Sequence, residues 1–207
     1  FTSRLDEIAA GDTFTPEDGS AAQTVTAVWS GTDVTQSGSS MPQWWMTVYP
    51  TLTSAVVEPS FSEVRPASTA YWFFFCAGLT TLDLRNLNTS ATEDMQGMFM
   101  NCTGLTTVLV DERWTTAAVT SSTNMFQNCT AIVGGYGTVY DASHTDQSYA
   151  CIDTPTTPGY LTGVVPNVAT LTDGETYTLA SDADYDRVDY VRTFANTGWQ
   201  ALYVPFS

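Results

Sequence analysis

The chain has 207 residues, with 22 acidic side chains against 6 arginines and no lysine, and a formal net charge of −16; that field repels nucleic acid and anionic membrane surfaces. Only 14% of residues are charged while 13% are aromatic, which excludes a charge-driven disordered tail and calls for a packed core. The longest apolar run, Ala70 to Leu79, is about half of what a bilayer-spanning helix needs, so no membrane insertion is expected. Four cysteines without a C-x-x-C pair exclude a disulfide scaffold, a zinc ribbon and a redox motif.

Phe1 is followed by Thr and Ser, without a start Met, a basic region or an apolar signal core. The chain therefore reads as a processed piece of a longer protein, with any export signal upstream. Residues 1–40 hold turn-rich stretches, Gly11-Asp12 and Pro16-Glu17-Asp18-Gly19, around a strand candidate from Gln23 to Ser30. A parallel ladder ending in the open would leave an unpaired edge, so residues 1–40 read as an amino-terminal cap.

Residues 41–163 carry an internal repeat. Leu52 to Val57, Leu79 to Leu84 and Leu105 to Val110 align as short strands at offsets of 27 and 26 residues. An aromatic or Met pair and a cysteine recur in step: Trp72, Phe73 and Cys76; Met98, Phe99 and Cys102; Met125, Phe126 and Cys129. The frame extends back to Trp45, Met46 and Tyr49. Met95, Met98, Phe99 and Cys102 fall at i, i+3, i+4 and i+7, the spacing of one helix face. Ser90 and Glu93 stand in capping-box relation before it. Each unit thus predicts a short helix, a turn and a strand. A unit of this size cannot bury its apolar face alone, so stacking at this period predicts a right-handed solenoid with a parallel strand ladder. Leu79, Leu82 and Leu84 are expected to point inward.

After Cys129 the pattern gives way to Gly134-Gly135-Tyr136-Gly137 and a Pro/Thr-rich loop ending near Gly163, read as a carboxy-terminal cap. From 164 to 207 the texture changes: Glu175 to Leu179 and Val188 to Phe194 alternate as strands, a β segment that reads as the start of a following module. The expected fold class is α/β: the solenoid with short helices, β-rich caps and a short C-terminal β segment.

The segment from Leu79 to Ser90, with Met95 to Cys102 and the closing stretch from Met125 through Thr138, Ser143-His-Thr-Asp146 and Pro158-Gly-Tyr160, resembles the BspA-like leucine-rich-repeat surface proteins of gut and oral anaerobic bacteria. The resemblance covers roughly residues 20 to 163. It implies an exported or lipid-anchored protein at the bacterial cell surface, whose partners are host or bacterial surface proteins or glycans. Copy three departs from the family pattern, with Asp111-Glu-Arg-Trp-Thr115 where an Asn-Trp-Asp-Thr-Ser type loop is usual.

The candidate recognition surface is the outward strand face, built from Thr53, Thr80, Thr81, Asp83, Thr106, Thr107 and Leu109. Cys76, Cys102 and Cys129 repeat at 26 and 27 residues, the spacing of a stacked, reduced and buried ladder and not of metal ligands; Cys151 lies outside the frame. No catalytic residues, cofactor or metal are expected. His144 is the only histidine, and within Ser-His-Thr-Asp it reads as a loop hydrogen-bonding residue without triad partners. Asp182, Asp184 and Asp186 match the first positions of a calcium loop, but Arg187 and Thr193 stand where Gly and Glu belong. Among the tryptophans only Trp114 reads as a surface candidate for sugar stacking, with core packing the favoured alternative. Gly134-Gly135-Tyr136-Gly137 reads as turn chemistry, since no helix follows it to hold an anion. The functional expectation is a non-enzymatic adhesion or binding module, with a structural spacer as the alternative and a glycan-active enzyme as the third.

Overall fold

Strand β1 (Thr13–Phe14) pairs antiparallel with β2 (Gln23–Thr24). Gly11, at φ 97°, turns the chain into β1, and its N–H donates to Val25 O at 2.8 Å. The computed structural model describes residues 9–16, 21–25, 41–42, 44–164, 168–172 and 187–191. The rest of the strand candidate, 26–30, and the turn at 17–19 lie outside the described residues. The chain falls into two compact units, residues 1–164 and 165–207.

The first unit is built on a four-stranded parallel sheet in chain order, β3 (Ser54–Val56), β4 (Thr81–Asp83), β5 (Thr107–Val110) and β6 (Thr162–Gly163). Its register follows the sequence repeat: Ser54 lies beside Thr81 and Thr81 beside Thr107, while Ala55, Leu82 and Val108 form the next row. Leu79, Leu82, Leu84, Val108 and Val110 have no exposure, and Ser54 and Thr81 are exposed. This is the period-2 alternation of a sheet with one buried face.

The helical half of each unit is overturned. Among the described residues the only α-helix is α1 (Trp45–Val48), four residues long, with two short 3-10 segments at Pro59–Glu63 and Gln147–Tyr149. Met95 to Cys102 is a run of turns, broken by Gly97 at φ 57° and Asn101 at φ 64°. Alternate N–H groups bond in two directions. Met98, Met100 and Cys102 donate to the carbonyls of Met95, Gly97 and Phe99 three residues back. Gly97, Phe99 and Asn101 donate instead to Thr123, Met125 and Gln127 of the following copy. The same scheme runs from Tyr71 to Cys76, which bonds onward to Gln96, Met98 and Met100. Copies are therefore bridged through their turns as well as their strands. The four residues Met95, Met98, Phe99 and Cys102 are all fully buried, because turns closed every three residues repeat the inward direction almost as a helix does. The Ser90–Glu93 capping box is also absent: Glu93 N–H donates across to Ala67 O at 2.9 Å.

The core is a stack of aromatic rings crossing the copies. Phe73 lies over Phe99 at 5.9 Å, Phe99 over Phe126 at 5.1 Å, and Phe126 meets Tyr160 edge-on at 5.1 Å. Each such side chain contributes about 1.5–3 kcal/mol by burial. At the amino-terminal end the stack is continued by Trp44, 6.0 Å from Phe73. The expected frame placed Met46 there, but Met46 is 69% exposed. Trp45 is buried as the frame expects, and in this copy, which alone among the described ones folds as an α-helix, Trp44 takes the inward place expected of Met46.

The last strand of the sheet is assembled from two stretches. Val133 N–H reaches Thr106 O at 3.0 Å, after which the chain leaves through residues 134–161 and returns as β6 beside Leu109 and Val110. Asp153 ties this excursion together. It is 2% exposed and accepts from Tyr136 N–H at 2.7 Å, Thr138 N–H at 3.0 Å, Thr138 Oγ1 at 2.6 Å and Gly159 N–H at 3.3 Å.

In the second unit β7 (Val168–Thr172) pairs in parallel with β8 (Arg187–Val191). β7 was not foreseen. The strand expected at 175–179 and the Asp182, Asp184 and Asp186 run lie outside the described residues.

Candidate functional site: the outer strand face

Two outward rows cross the sheet. One joins Ser54, Thr81 and Thr107, and the other joins Val56, Asp83, Leu109 and Thr162. Thr81 is exposed, while Thr107, Asp83 and Leu109 are half-buried. The structure thus brings Thr81, Asp83, Thr107 and Leu109 onto one surface, spaced by the ~4.8 Å separation of neighbouring strands.

Thr53, Thr80 and Thr106 form a third row just before the strands, and all three are exposed. Thr80 donates its N–H and its hydroxyl to Thr53 O at 3.0 and 3.3 Å. Thr106 does the same to Thr80 O, at 2.9 Å for each. These hydroxyls donate within the ladder. The hydroxyl donors of Thr80 and Thr106 are thereby committed to copy-to-copy bonding.

Asp83 is held by a residue that the sequence reading did not single out. Arg85 Nε donates to Asp83 Oδ1 at 2.9 Å and its Nη2 to Oδ2 at 2.6 Å. Arg113 repeats the arrangement on Asp111, with Nη1 2.5 Å from Oδ2 and N–H 2.9 Å from Oδ1. Burial pushes the Asp111 carboxyl up, against the lowering effect of the Arg113 N–H and guanidinium. The signal was present as Asp-x-Arg in two consecutive copies. The Arg85 and Arg113 side chains are 39% and 35% exposed, and Arg85, held on Asp83 of the outward row, sets a planar cation beside an otherwise hydroxyl-rich face.

Cys76, Cys102 and Cys129 are buried free thiols. Cys102 Sγ donates to Phe73 O and Cys129 Sγ to Phe99 O, each at 2.8 Å. These two thiols therefore reach a carbonyl of the preceding copy, whereas the Cys76 thiol points at Phe74 O of its own copy at 3.8 Å. Burial pushes Cys76 and Cys129 up to about 12, and burial followed by the neighbouring thiols raises Cys102 as well. Such thiols are poor nucleophiles and poor ligands. Cys151, half-buried, points its thiol at Pro158 O at 3.4 Å.

Trp114, the sugar-stacking candidate, is 8% exposed and donates Nε1–H to Ala150 O at 2.9 Å. It belongs to the core. The His144 ring stacks on Tyr149 at 4.0 Å, and its Nδ1 lies 3.4 Å from Ser148 Oγ. Gly134 N–H closes a turn onto Thr138 O at 2.8 Å, with Gly137 at φ 95°, a left-handed backbone that favours glycine. Among the described residues no helix is long and apolar enough to cross a membrane.

Residues 63–151 match a family model described as "Mycoplasma protein of unknown function, DUF285". The matched stretch covers the turn runs of the second, third and fourth copies and the strands β4 and β5. Comparison with the curated proteins and with the solved structures finds no match.

Proposed function

We propose that this chain is a non-enzymatic binding module of a bacterial cell-surface protein, a right-handed solenoid of the leucine-rich-repeat kind that meets host or bacterial surface proteins or glycans outside the cell. The observation that carries the reading is the outward row Ser54, Thr81 and Thr107, in register across three strands, with the Asp83–Arg85 pair at its side. Hydroxyls at a fixed strand spacing, flanked by a planar cation, form a surface with directional hydrogen-bonding capacity.

The test compares the full chain with a variant carrying Thr81→Arg, Asp83→Arg and Thr107→Arg on an array of host matrix proteins, bacterial surface proteins and glycans. Retention by the parent chain and its loss in the variant is the expected result. Equal retention by both removes the strand face from the reading.

A spacer role is favoured by one specific observation. The Thr80 and Thr106 hydroxyls bond to backbone carbonyls of the preceding copy, so part of the hydroxyl surface serves cohesion of the ladder. If deletion of one copy from the parent protein leaves its adhesion intact while shortening it, the spacer reading stands in place of the binding one.

A further inference from the structure

The turn side of the ladder carries an aromatic platform of its own. Two residues in each turn run adopt the left-handed backbone: Tyr71 and Phe75, then Gly97 and Asn101, then Asn124 and Asn128, all with φ between 57° and 64°. Glycine and asparagine take this conformation readily, whereas a bulky aromatic there is a genuine outlier. Both aromatics fall in the same copy. Phe75 is 48% exposed, and its ring meets Phe74 edge-on at 4.5 Å. Tyr71 also meets Phe74 edge-on, at 5.5 Å. The Tyr71 ring lies over Gly97 of the following copy, but nothing about the fold asks for an aromatic ring at position 75, since the following copies fill it with Asn101 and Asn128.

Beyond Phe75 the same ridge continues as amides. Asn128 Nδ2 donates to Asn101 Oδ1 at 2.7 Å, leaving the Asn101 amide donors and the Asn128 amide oxygen for another partner. Phe75, Asn101 and Asn128 stand in stretches without an ionisable acid or base in a chain of net charge −16: no Asp, Glu, Lys, Arg or His occurs from Pro66 to Leu82, from Met95 to Val110 or from Trp114 to Tyr140. The Tyr71 end has a carboxylate near it, Asp94, which adds to burial in raising the Tyr71 phenol. Aromatic faces followed by side-chain amides, with a carboxylate at one end that accepts from hydroxyls and repels anions, fit a neutral, polyhydroxylated ligand, whose C–H faces stack on rings and whose hydroxyls bond to amides.

We infer that the turn ridge running from Tyr71 and Phe75 to Asn101 and Asn128 is a binding site for uncharged glycan chains, and that the left-handed aromatics are retained for that contact at the expense of stability. The inference rests on the binding-module reading but not on the strand face.

The test uses the full chain on an array of uncharged oligosaccharides, namely β-glucan, mannan and N-acetyllactosamine series, beside sialylated and sulfated forms of the same cores. Phe75→Asn is the informative variant, because Asn occupies this position in the next two copies and relieves the strained backbone. The expected result is retention of the parent chain on at least one uncharged series, falling at least tenfold in Phe75→Asn, whose Tm is higher than the parent's. Retention of Phe75→Asn equal to the parent's, retention on charged glycans alone, or no retention on any uncharged series overturns the inference. The strand-face triple variant separates the two surfaces: loss there with full retention by Phe75→Asn supports the strand face and removes the turn ridge.

Discussion

Gly97 lies directly beneath the ring of Tyr71, so that a β-carbon at position 97 would come within 2.6 Å of Tyr71 Cε1. The backbone at Gly97 is also left-handed, at φ 57°. Gly97→Ala therefore meets two penalties, about 1–2 kcal/mol for the conformation and about 1–3 kcal/mol for the overlap with the ring. Denaturant unfolding is expected to show a loss of about 2–5 kcal/mol. A loss below about 1 kcal/mol means that the ring moves aside freely.

The inward and outward sides of the ladder differ in their tolerance. Phe99, fully buried between Phe73 and Phe126, is expected to cost about 3–5 kcal/mol on truncation to alanine. Thr81→Ala on the exposed face is expected to cost under about 1 kcal/mol. Equal costs in chemical denaturation break this division.

Asp153 makes the carboxy-terminal excursion sensitive to acid. Burial works to raise its carboxyl, but the Thr138 hydroxyl and N–H and the N–H groups of Tyr136 and Gly159 outweigh it, and the group lies below the usual carboxylate range. A folded value lower than the unfolded one stabilises the native state above about pH 4, the unfolded value, and the contribution is lost as pH falls through the folded value. Asp153→Asn keeps the shape but gives up one acceptor oxygen. It is expected to cost about 1–3 kcal/mol at neutral pH and to flatten the decline in Tm between about pH 5 and about pH 2. An unchanged acid profile in the variant removes Asp153 as the sensor.

The thiol ladder predicts a labelling pattern. At about pH 8, near the ordinary thiol value, the native chain is expected to take up alkylating reagent at Cys151 and to protect Cys76, Cys102 and Cys129 until denaturant is added. Mass spectrometry of the labelled peptides reads this directly. Fast native labelling of Cys102 contradicts its burial and its bond to Phe73 O.

The strand rows were legible because period-2 alternation and the 26- and 27-residue offsets are written directly in Leu79 to Leu84 and Leu105 to Val110. The turn runs were not, since buried positions at i, i+3, i+4 and i+7 are shared by a helix and by turns closed every three residues. The distinguishing signs were Gly97, Asn101, Asn124 and Asn128, residues that favour the left-handed region, yet Tyr71 and Phe75 conceal the same positions in copy two. At the candidate site, Thr81 and Asp83 followed from alternation. Arg85 and Arg113 were missed because they stand beyond the ends of β4 and β5, where strand alternation no longer says which way a side chain points, and the hydrogen bonds that occupy Thr80 and Thr106 depend on copies brought together only by folding.

The divided fourth strand has a consequence for how the chain is made. β4 needs only β3 before it and β5 only β4, so each can pair as soon as a stretch of about 26 residues beyond its predecessor has left the ribosome. The fourth cannot, because Val133 supplies its beginning and Thr162–Gly163 its end. Synthesis must run to Gly163 before the sheet is shut, and until then Leu109 and Val110 wait with their outer hydrogen bonds unmade. A ribosome paused between Val133 and Gly163 would hold a nascent chain whose growing edge is open to whatever strand arrives first.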